Sequence, residues 1–128
     1  QEVIEPALKN GTIVLCDRFL DSTIVYQGYG FDMDMELIKN VGQFATRGIK
    51  PDLTFIFDIE TEEGLRRISR KRDRIESRPI SYHMRVRLGY RELARREPQR
   101  IKLMQGNLKK EEIHEKVKIF VNELLGIV

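Results

Sequence analysis

The chain has 128 residues, a formal net charge of +3 and a single cysteine. With 41% hydrophobic and 34% charged residues, it is typical of one globular domain rather than of a disordered protein. No apolar run approaches the roughly 20 residues of a membrane span, and one cysteine excludes an internal disulfide. We therefore expect a cytoplasmic protein that has no membrane partner.

The first predicted strand is the apolar run 13–16, which follows an Asn-Gly turn. Successive apolar residues favour a strand buried on both faces of a parallel sheet, with Cys16 in the core. The run ends at Asp17 and Arg18. Because ligands bind at the carboxyl ends of strands in open α/β sheets, this pair could hold a metal–phosphate assembly. The alternative is an ion pair that only closes the strand.

The remaining chain alternates between predicted helices and strands. Six helices are predicted. The first ends at Lys9, the second spans 22–26, and the third runs from Asp34 to Gly48. The fourth begins at a Thr61 cap, the fifth runs from Ser81 to Glu97, and the sixth starts at Asn107. Gly28 and Gly30 are expected to break the second of these helices. Strands are predicted at 53–59 and 101–104. This alternation predicts an α/β fold with a parallel sheet.

Two of these helices carry apolar residues at the spacing of an amphipathic helix. The first stripe is Leu37, Ile38, Val41, Phe44 and Ala45. The second, in the last helix, is Ile113, Val117, Phe120, Val121, Leu124 and Leu125.

Three short blocks stand at fixed spacing after the first predicted strand. They are Asp17-Arg18-Phe19, Asp21-Ser22-Thr23 and Tyr26-Gln27-Gly28. Together they resemble the Asp-Arg-Tyr, Asp-Ser-Ser and Tyr-Gln-Gly signature of bacterial thymidylate kinases. The resemblance implies a nucleoside monophosphate kinase that transfers a phosphoryl group from ATP to dTMP in dTTP biosynthesis. It also implies Mg²⁺ as cofactor and a homodimer.

The resemblance assigns roles to individual residues of these blocks. Arg18 would bind the phosphate of the acceptor nucleotide, and Asp17 would lie near Mg²⁺. Thr23 and Gln27 match positions that read the thymine edge, where an amide can donate and accept at once. Tyr26 matches a ring beside the deoxyribose, where its bulk disfavours a 2′-hydroxyl. The alternative for Tyr26 is half-buried packing.

The segment 66–74 contains six cations. It is similar to the lid of bacterial thymidylate kinases, which places a lid at about residues 68–80. Arginines of that lid close over ATP and neutralise the migrating phosphoryl group. The candidates here are Arg70, Arg72 and Arg74. Arg74 is the best match, and a solvated basic helix end is the alternative for each. Nucleic-acid binding is disfavoured because Asp73 and Glu76 interrupt the cations and no aromatic residues alternate with them.

No G-x-x-x-x-G-K-[ST] loop, which would hold ATP phosphates, occurs in the chain. The family carries this loop on its first strand. We therefore expect residues 1–128 to be the central and C-terminal part of one phosphate-loop NTPase-type domain, and to be inactive alone. The family strand order, 2-3-1-4-5, would leave 12–16 and 53–59 unpaired with each other, roughly 10 Å apart.

Two other functions stay open. A related nucleoside or nucleotide kinase would also end a strand in Asp-Arg, although the Tyr-Gln-Gly block argues against it. A catalytically inactive relative would bind nucleotide without transferring a phosphoryl group. Separate titrations with dTMP and ATP would distinguish binding alone from turnover.

Overall fold

The computed structural model describes residues 2–127, which form six α-helices, one π-helix and two β-strands. In chain order these are α1 (Ile4–Lys9), α2 (Leu20–Thr23), the π-helix (Ile24–Gly30), α3 (Met35–Thr46), β1 (Thr54–Asp58), α4 (Thr61–Arg66), α5 (Ile80–Arg96), β2 (Ile101–Gln105) and α6 (Lys110–Leu125). None of the helices in this range has the length and apolar character needed to cross a membrane.

The sheet consists of β1 and β2, which run parallel in a register that pairs Thr54 with Ile101. Parallel strands need a long crossover connection, and α5 lies within it. The strands predicted at 53–59 and 101–104 are thus confirmed, as is the parallel α/β class.

Residues 12–16 do not form the predicted strand. Ile13 and Leu15 are 65% and 93% exposed, and Cys16 is also exposed instead of packed in a core. A strand exists only when a neighbouring strand takes up its backbone hydrogen bonds. Within residues 2–127 the sheet contains β1 and β2 alone, so this run has no such neighbour. The absence of pairing with β1 agrees with the expectation, whereas the distance of roughly 10 Å stays a prediction.

Residues 20–30 form one continuous helix, here called the signature helix, in which α2 passes into the π-helix. The prediction that Gly28 and Gly30 break this helix is wrong. A Cβ added at Gly30 would lie 2.7 Å from Cε2 of Tyr82, and one at Gly28 would lie 2.5 Å from Cε of Met35. The two glycines therefore admit neighbouring side chains to the helix backbone.

Helix α5 is the surface on which the signature helix packs. The two helices run antiparallel, because Ser22 near the start of the signature helix contacts Tyr90, whereas Gly30 at its end contacts Tyr82. The core lies between these helices, α3 and the sheet. Its buried residues are Ile24, Val25, Ile38, Ile56, Tyr82, Val86, Leu93, Ala94 and Ile101. The long helix predicted from Ser81 is confirmed within one residue at each end.

Helix α3 begins where the sequence predicts it. The Asp34 carboxylate accepts a 2.8 Å hydrogen bond from the backbone N–H of Leu37, which caps the helix. Of its apolar stripe, however, only Ile38 is buried, and Phe44 is 87% exposed. Most of this face therefore has no covering element within residues 2–127.

Two other helix starts differ from the predictions. Helix α4 is preceded by Glu60, so Thr61 is its first residue and not its cap. Helix α6 begins at Lys110, three positions after Asn107, and none of its apolar stripe is fully buried. Its first turn is instead closed by the Glu112 carboxylate, which accepts a 3.0 Å hydrogen bond from the Lys109 N–H.

Replacing Gly30 with alanine should destabilise the fold. The added methyl group would force Tyr82 away from its contact with the signature helix, at a cost of about 1–3 kcal/mol in the free energy of unfolding. Urea unfolding of the variant measures this change. Gly64→Ala is the matched control, because its added methyl group would lie 3.2 Å from the nearest atom, in Ile59, instead of 2.7 Å. Equal effects of the two substitutions would contradict the close packing at Gly30.

Candidate functional site

The first and third signature blocks meet at Arg18 and Tyr26. The guanidinium carbon of Arg18 lies 5.4 Å from the centroid of the Tyr26 ring, which is a cation–π contact. Arg18 has a left-handed backbone with φ of 64°, and this conformation turns the chain toward the signature helix. Asp17 and Arg18 are both exposed. A ligand can therefore reach both from solvent.

The Tyr26 ring is held by two other tyrosines. Its centroid lies 6.5 Å from that of Tyr82 and 6.2 Å from that of Tyr90, the latter in an edge-to-face arrangement. Tyr26 is therefore half-buried, which agrees with the packing role given above as its alternative. It also contacts Arg18. Packing of this kind fixes the ring in place without removing it from the site.

Thr23 and Gln27 lie within one turn of each other on the signature helix. Thr23 is exposed and Gln27 is half-buried. The Gln27 position falls in the π-helix, a wider turn that is common at functional sites. The structure thus brings Thr23, Tyr26 and Gln27 onto one helix beside Arg18.

The second signature block contains a buried acid, Asp21, which is 9% exposed. Both of its carboxylate oxygens accept 2.8 Å hydrogen bonds from the two terminal nitrogens of Arg100. The Thr54 hydroxyl donates to Asp21 over 3.4 Å and accepts from Arg100 over 3.0 Å. Arg100 also donates to Glu97 over 2.8 Å, and Glu97 pairs with Lys50 at 2.6 Å. The hydrogen bonds to Asp21 raise the pKa of Arg100.

Sequence reasoning missed this network. Asp21 stands inside the signature, but its partner Arg100 is 79 positions away. No local pattern distinguishes Arg100 from the other arginines around it. Burial is the signal, and burial becomes visible only in the folded chain.

A second shielded arginine, Arg87, joins α5 to the carboxyl end of β1. Its Nε and Nη2 atoms donate to the two oxygens of Asp58 over 2.7 and 3.0 Å. Its Nη1 atom lies 2.7 Å from a carboxylate oxygen of Glu60. These bonds, chiefly the one to Asp58, raise the pKa of Arg87. Because its donors are used in this way, Arg87 aligns α5 with the sheet edge at which ligands bind.

The three lid candidates differ in what their guanidinium groups contact. Arg70 forms two hydrogen bonds with Glu76, at 2.7 and 3.0 Å. Arg72 donates to the carbonyl oxygen of Leu65 over 3.2 Å. Arg74 is exposed and has no side-chain hydrogen bond or ion pair with another residue of the described range. Arg74 is thus the candidate whose donors are free.

The lid segment folds into a tight turn. The Asp73 carboxylate accepts 2.8 Å hydrogen bonds from the N–H groups of Ile75 and Glu76, and Glu76 accepts one of 2.9 Å from the Asp73 N–H. These bonds, above all the one involving the Glu76 backbone, lower the pKa of Asp73. The charge of Arg70, and to a smaller extent that of Arg18, lowers it further.

The end of the lid segment contacts the signature helix. The guanidinium carbon of Arg78 lies 4.9 Å from the centroid of the Phe31 ring, just after that helix. The Phe31 ring in turn lies 5.0 Å from the ring of Tyr82 in α5. The lid, the signature helix and α5 therefore meet at one aromatic cluster.

Asp17 is the predicted neighbour of Mg²⁺. Between residues 2 and 127 no group of three or more His, Cys, Asp and Glu side chains could hold a metal ion. Mg²⁺ at nucleotide sites takes one or two carboxylates and completes its shell with phosphate oxygens and water. A single accessible carboxylate at Asp17 fits that arrangement, whereas it does not fit a metal site built from protein ligands alone.

Comparison with known proteins gives a consistent result. The family model described as thymidylate kinase matches residues 1–117. The chain is 44% identical over 127 residues to a thymidylate kinase of Trichodesmium erythraeum, covering 98% of this chain and 56% of the relative. A thymidylate kinase of Kosmotoga olearia is 43% identical over 119 residues, covering 91% and 57%.

A crystal structure of thymidylate kinase from Ehrlichia chaffeensis is similar in fold as well as in sequence. It has a TM-score of 0.72 and 29% identity, and the match covers 94% of this chain and 57% of that one. The chain therefore spans little more than half the length of the relatives that it matches.

Acid should weaken the fold through Glu97. The hydrogen bond from Arg100, aided by Lys50 and opposed by burial, lowers the pKa of Glu97 from 4.5 to about 2. A depressed folded-state pKa means that the stabilisation is complete above pH 4.5 and is lost as the pH falls toward 2. Glu97→Gln should therefore lower the free energy of unfolding at pH 7, by a margin that narrows between pH 5 and pH 3.

Urea unfolding at a series of pH values measures that margin. Glu115→Gln is the control, because the exposed ion pair of Glu115 with Lys118 contributes little. A margin for Glu97→Gln that is constant from pH 7 to pH 3 would exclude the assigned pairing with Arg100.

Chemical modification should rank the lid arginines. Phenylglyoxal attacks unpaired guanidinium groups, so we expect Arg74 to react faster than Arg70. Glu76→Gln should raise the rate at Arg70 several-fold and leave that at Arg74 unchanged. Peptide mapping by mass spectrometry measures each rate. Glu63→Gln, which releases Arg67 instead, is the control. Equal rates at Arg70 and Arg74 in the unchanged chain would contradict the Arg70–Glu76 pair.

Proposed function

Because the chain belongs to the thymidylate kinase family, we propose that these residues form the acceptor-binding and lid portion of an enzyme that phosphorylates dTMP with ATP. The observation that carries the proposal is the contact of Arg18 with Tyr26, whose ring centroid lies 5.4 Å from the guanidinium carbon. It unites an exposed cation with the helix that bears Gln27. A phosphate next to a base is the ligand that such a pair suits.

Each side chain of the site then has one role. Arg18 binds the acceptor phosphate, since a guanidinium matches phosphate oxygens in charge and geometry. Gln27 pairs with the base edge, donating from its amide nitrogen and accepting at its oxygen. Thr23 supports that reading from the same turn. The Tyr26 ring, held by its tyrosine neighbours, borders the sugar.

Phosphoryl transfer depends on positioned positive charge more than on covalent chemistry. In this chain the availability of donors decides which arginine can supply that charge. The donors of Arg87 and Arg100 are bonded to carboxylates in shielded pairs. Neither arginine can bind a phosphate without leaving a largely shielded acid unpaired. Arg74 has free donors in the lid turn and is the best candidate to neutralise the migrating group. Arg70 and Arg72 are secondary candidates.

Asp17 is the residue that would hold Mg²⁺, which would supply positive charge to the nucleotide phosphates when bound. The homodimer, the cytoplasmic location and the absence of a nucleic-acid partner also belong to the proposal. The family resemblance supports the homodimer. The composition supports the cytoplasmic location, and the charge pattern of segment 66–74 argues against a nucleic-acid partner.

The chain alone should not phosphorylate dTMP. No phosphate-loop motif occurs in its sequence, and side-chain cations cannot replace a cage of backbone N–H donors around ATP phosphates. A coupled assay of ADP release with dTMP, ATP and Mg²⁺ tests this. Adding a segment that carries the phosphate loop, supplied from a relative, should restore turnover in what we call the complemented enzyme. Turnover by the chain alone that Arg18→Ala abolishes would contradict the prediction.

Gln27→Ala should weaken dTMP selectively in the complemented enzyme. The base edge loses its hydrogen-bonding partner, which costs about 1–3 kcal/mol of binding free energy. Calorimetric titration with dTMP and with ATP measures both affinities, and that for ATP should barely change. Gln43→Ala, at an exposed position of α3, is the control. Equal losses for both nucleotides would count against a base-reading role for Gln27.

A further inference from the structure

The Asp21–Arg100 pair lies at the amino-terminal end of the strands. Thr54 is the first residue of β1, and Arg100 directly precedes β2. The Thr54 N–H donates to the Arg100 carbonyl over 2.8 Å, which joins the two strand starts. The guanidinium of Arg100 reaches from this joint to Asp21. The start of the signature helix is therefore tied to the amino-terminal edge of the sheet.

The other end of the signature helix is held separately. The carbonyl oxygen of Gly30 accepts a 2.8 Å hydrogen bond from Nη2 of Arg85, and the Gly30 backbone packs against Tyr82. Thr23, Tyr26 and Gln27 lie between this attachment and the one at Asp21. A helix fixed at both ends keeps the side chains between them at set positions. Loss of the attachment at Asp21 would leave the start of the helix without a fixed position.

Burial distinguishes this pair from the ion pairs on the surface. The side chains of Arg100 and Asp21 are 11% and 12% exposed, whereas that of Arg95, paired with Glu92, is 72% exposed. A shielded pair gains little net stability over apolar residues of the same size, because both charges must be removed from water. Its two parallel hydrogen bonds do fix a direction and a distance. The network thus has more value for geometry than for stability.

We propose that Arg100 is a positioning residue of the acceptor site: through Asp21 it sets the position of the signature helix and thereby of Gln27 and Tyr26. The proposal rests on the proposed function in that the acceptor is a nucleotide read by this helix. Arg100 itself does not touch the nucleotide. It acts through Asp21, which holds the start of the signature helix.

Arg100→Lys is the substitution that tests the proposal, because lysine keeps the charge and loses the paired geometry. Hydrogen exchange of the chain itself should show faster exchange at residues 20–30, with β2 and α6 unchanged. In the complemented enzyme the KM for dTMP should rise about 10- to 100-fold, as expected for a small displacement of binding groups. The KM for ATP should stay within about twofold, because the ATP side does not depend on this helix.

Two further variants complete the design. Arg95→Lys weakens a surface pair on α5 and should change neither exchange nor KM. Thr54→Val removes one hydroxyl from the network while both charges stay paired. It should give the same pattern as Arg100→Lys with a smaller amplitude, and it serves as the test if Arg100→Lys fails to fold.

The outcomes separate the two levels of the argument. Unchanged exchange at residues 20–30 in both variants overturns the positioning role, whatever the activity. Faster exchange throughout the chain, with equal rises in both KM values, overturns it too, since it indicates general destabilisation. Suppose that hydrogen exchange becomes faster at residues 20–30 alone and that the complemented enzyme never phosphorylates dTMP. That result supports the positioning role of Arg100 and overturns the proposed function.

Discussion

The contact between the signature helix and α5 is the constraint on which the other features depend. Gly30 has no room for a Cβ beside Tyr82, and Gly89 has none beside the ring of Tyr29. Backbone and ring therefore touch directly on both sides of the interface, and neither helix can slide without a clash. Helix α5 also binds β1 through Arg87 and follows the lid segment in the chain. It therefore contacts or adjoins the sheet, the signature helix and the lid segment.

Burial sorts the arginines of this chain into two groups. Arg87 and Arg100 place their donors on carboxylates in shielded surroundings, where separation would cost several kcal/mol for each pair. Arg18 and Arg74 are exposed, so they can exchange water for a phosphate at little cost. Some arginines thus stabilise the fold, whereas others stay available to bind a ligand. Composition and net charge do not reveal this division.

Much of the fold could be predicted from local signals. Asp34 caps α3 through its own neighbours, and the apolar segment 53–59 forms β1 because its residues suit a pleated, covered surface. Residues 12–16 show the limit of this reasoning, since pairing is a property of two strands and not of one. Phe44 shows another limit, because periodicity predicts an apolar face but not the element that covers it.

The same limits apply to the site. The signature blocks identified Arg18, Tyr26 and Gln27 as candidates. The structure places these residues on one helix and in the turn before it. The ranking of the lid arginines depends on which acid each one meets, and neighbouring residues in the sequence do not decide that. Glu76 pairs with Arg70 because the Asp73 turn brings the chain back on itself.

The long-range character of these contacts also bears on the rate at which the chain folds. Ser22 and Tyr90 are 68 positions apart, and Asp21 and Arg100 are 79 apart. Closing such loops lowers the conformational entropy of the chain before the stabilising contact has formed. Folding is therefore slow when contacts between distant residues dominate the fold. Helix α5 needs only neighbouring residues and can form within microseconds. This difference favours a sequence of events in which α5 and the strands assemble first and the signature helix takes its place in the slowest step.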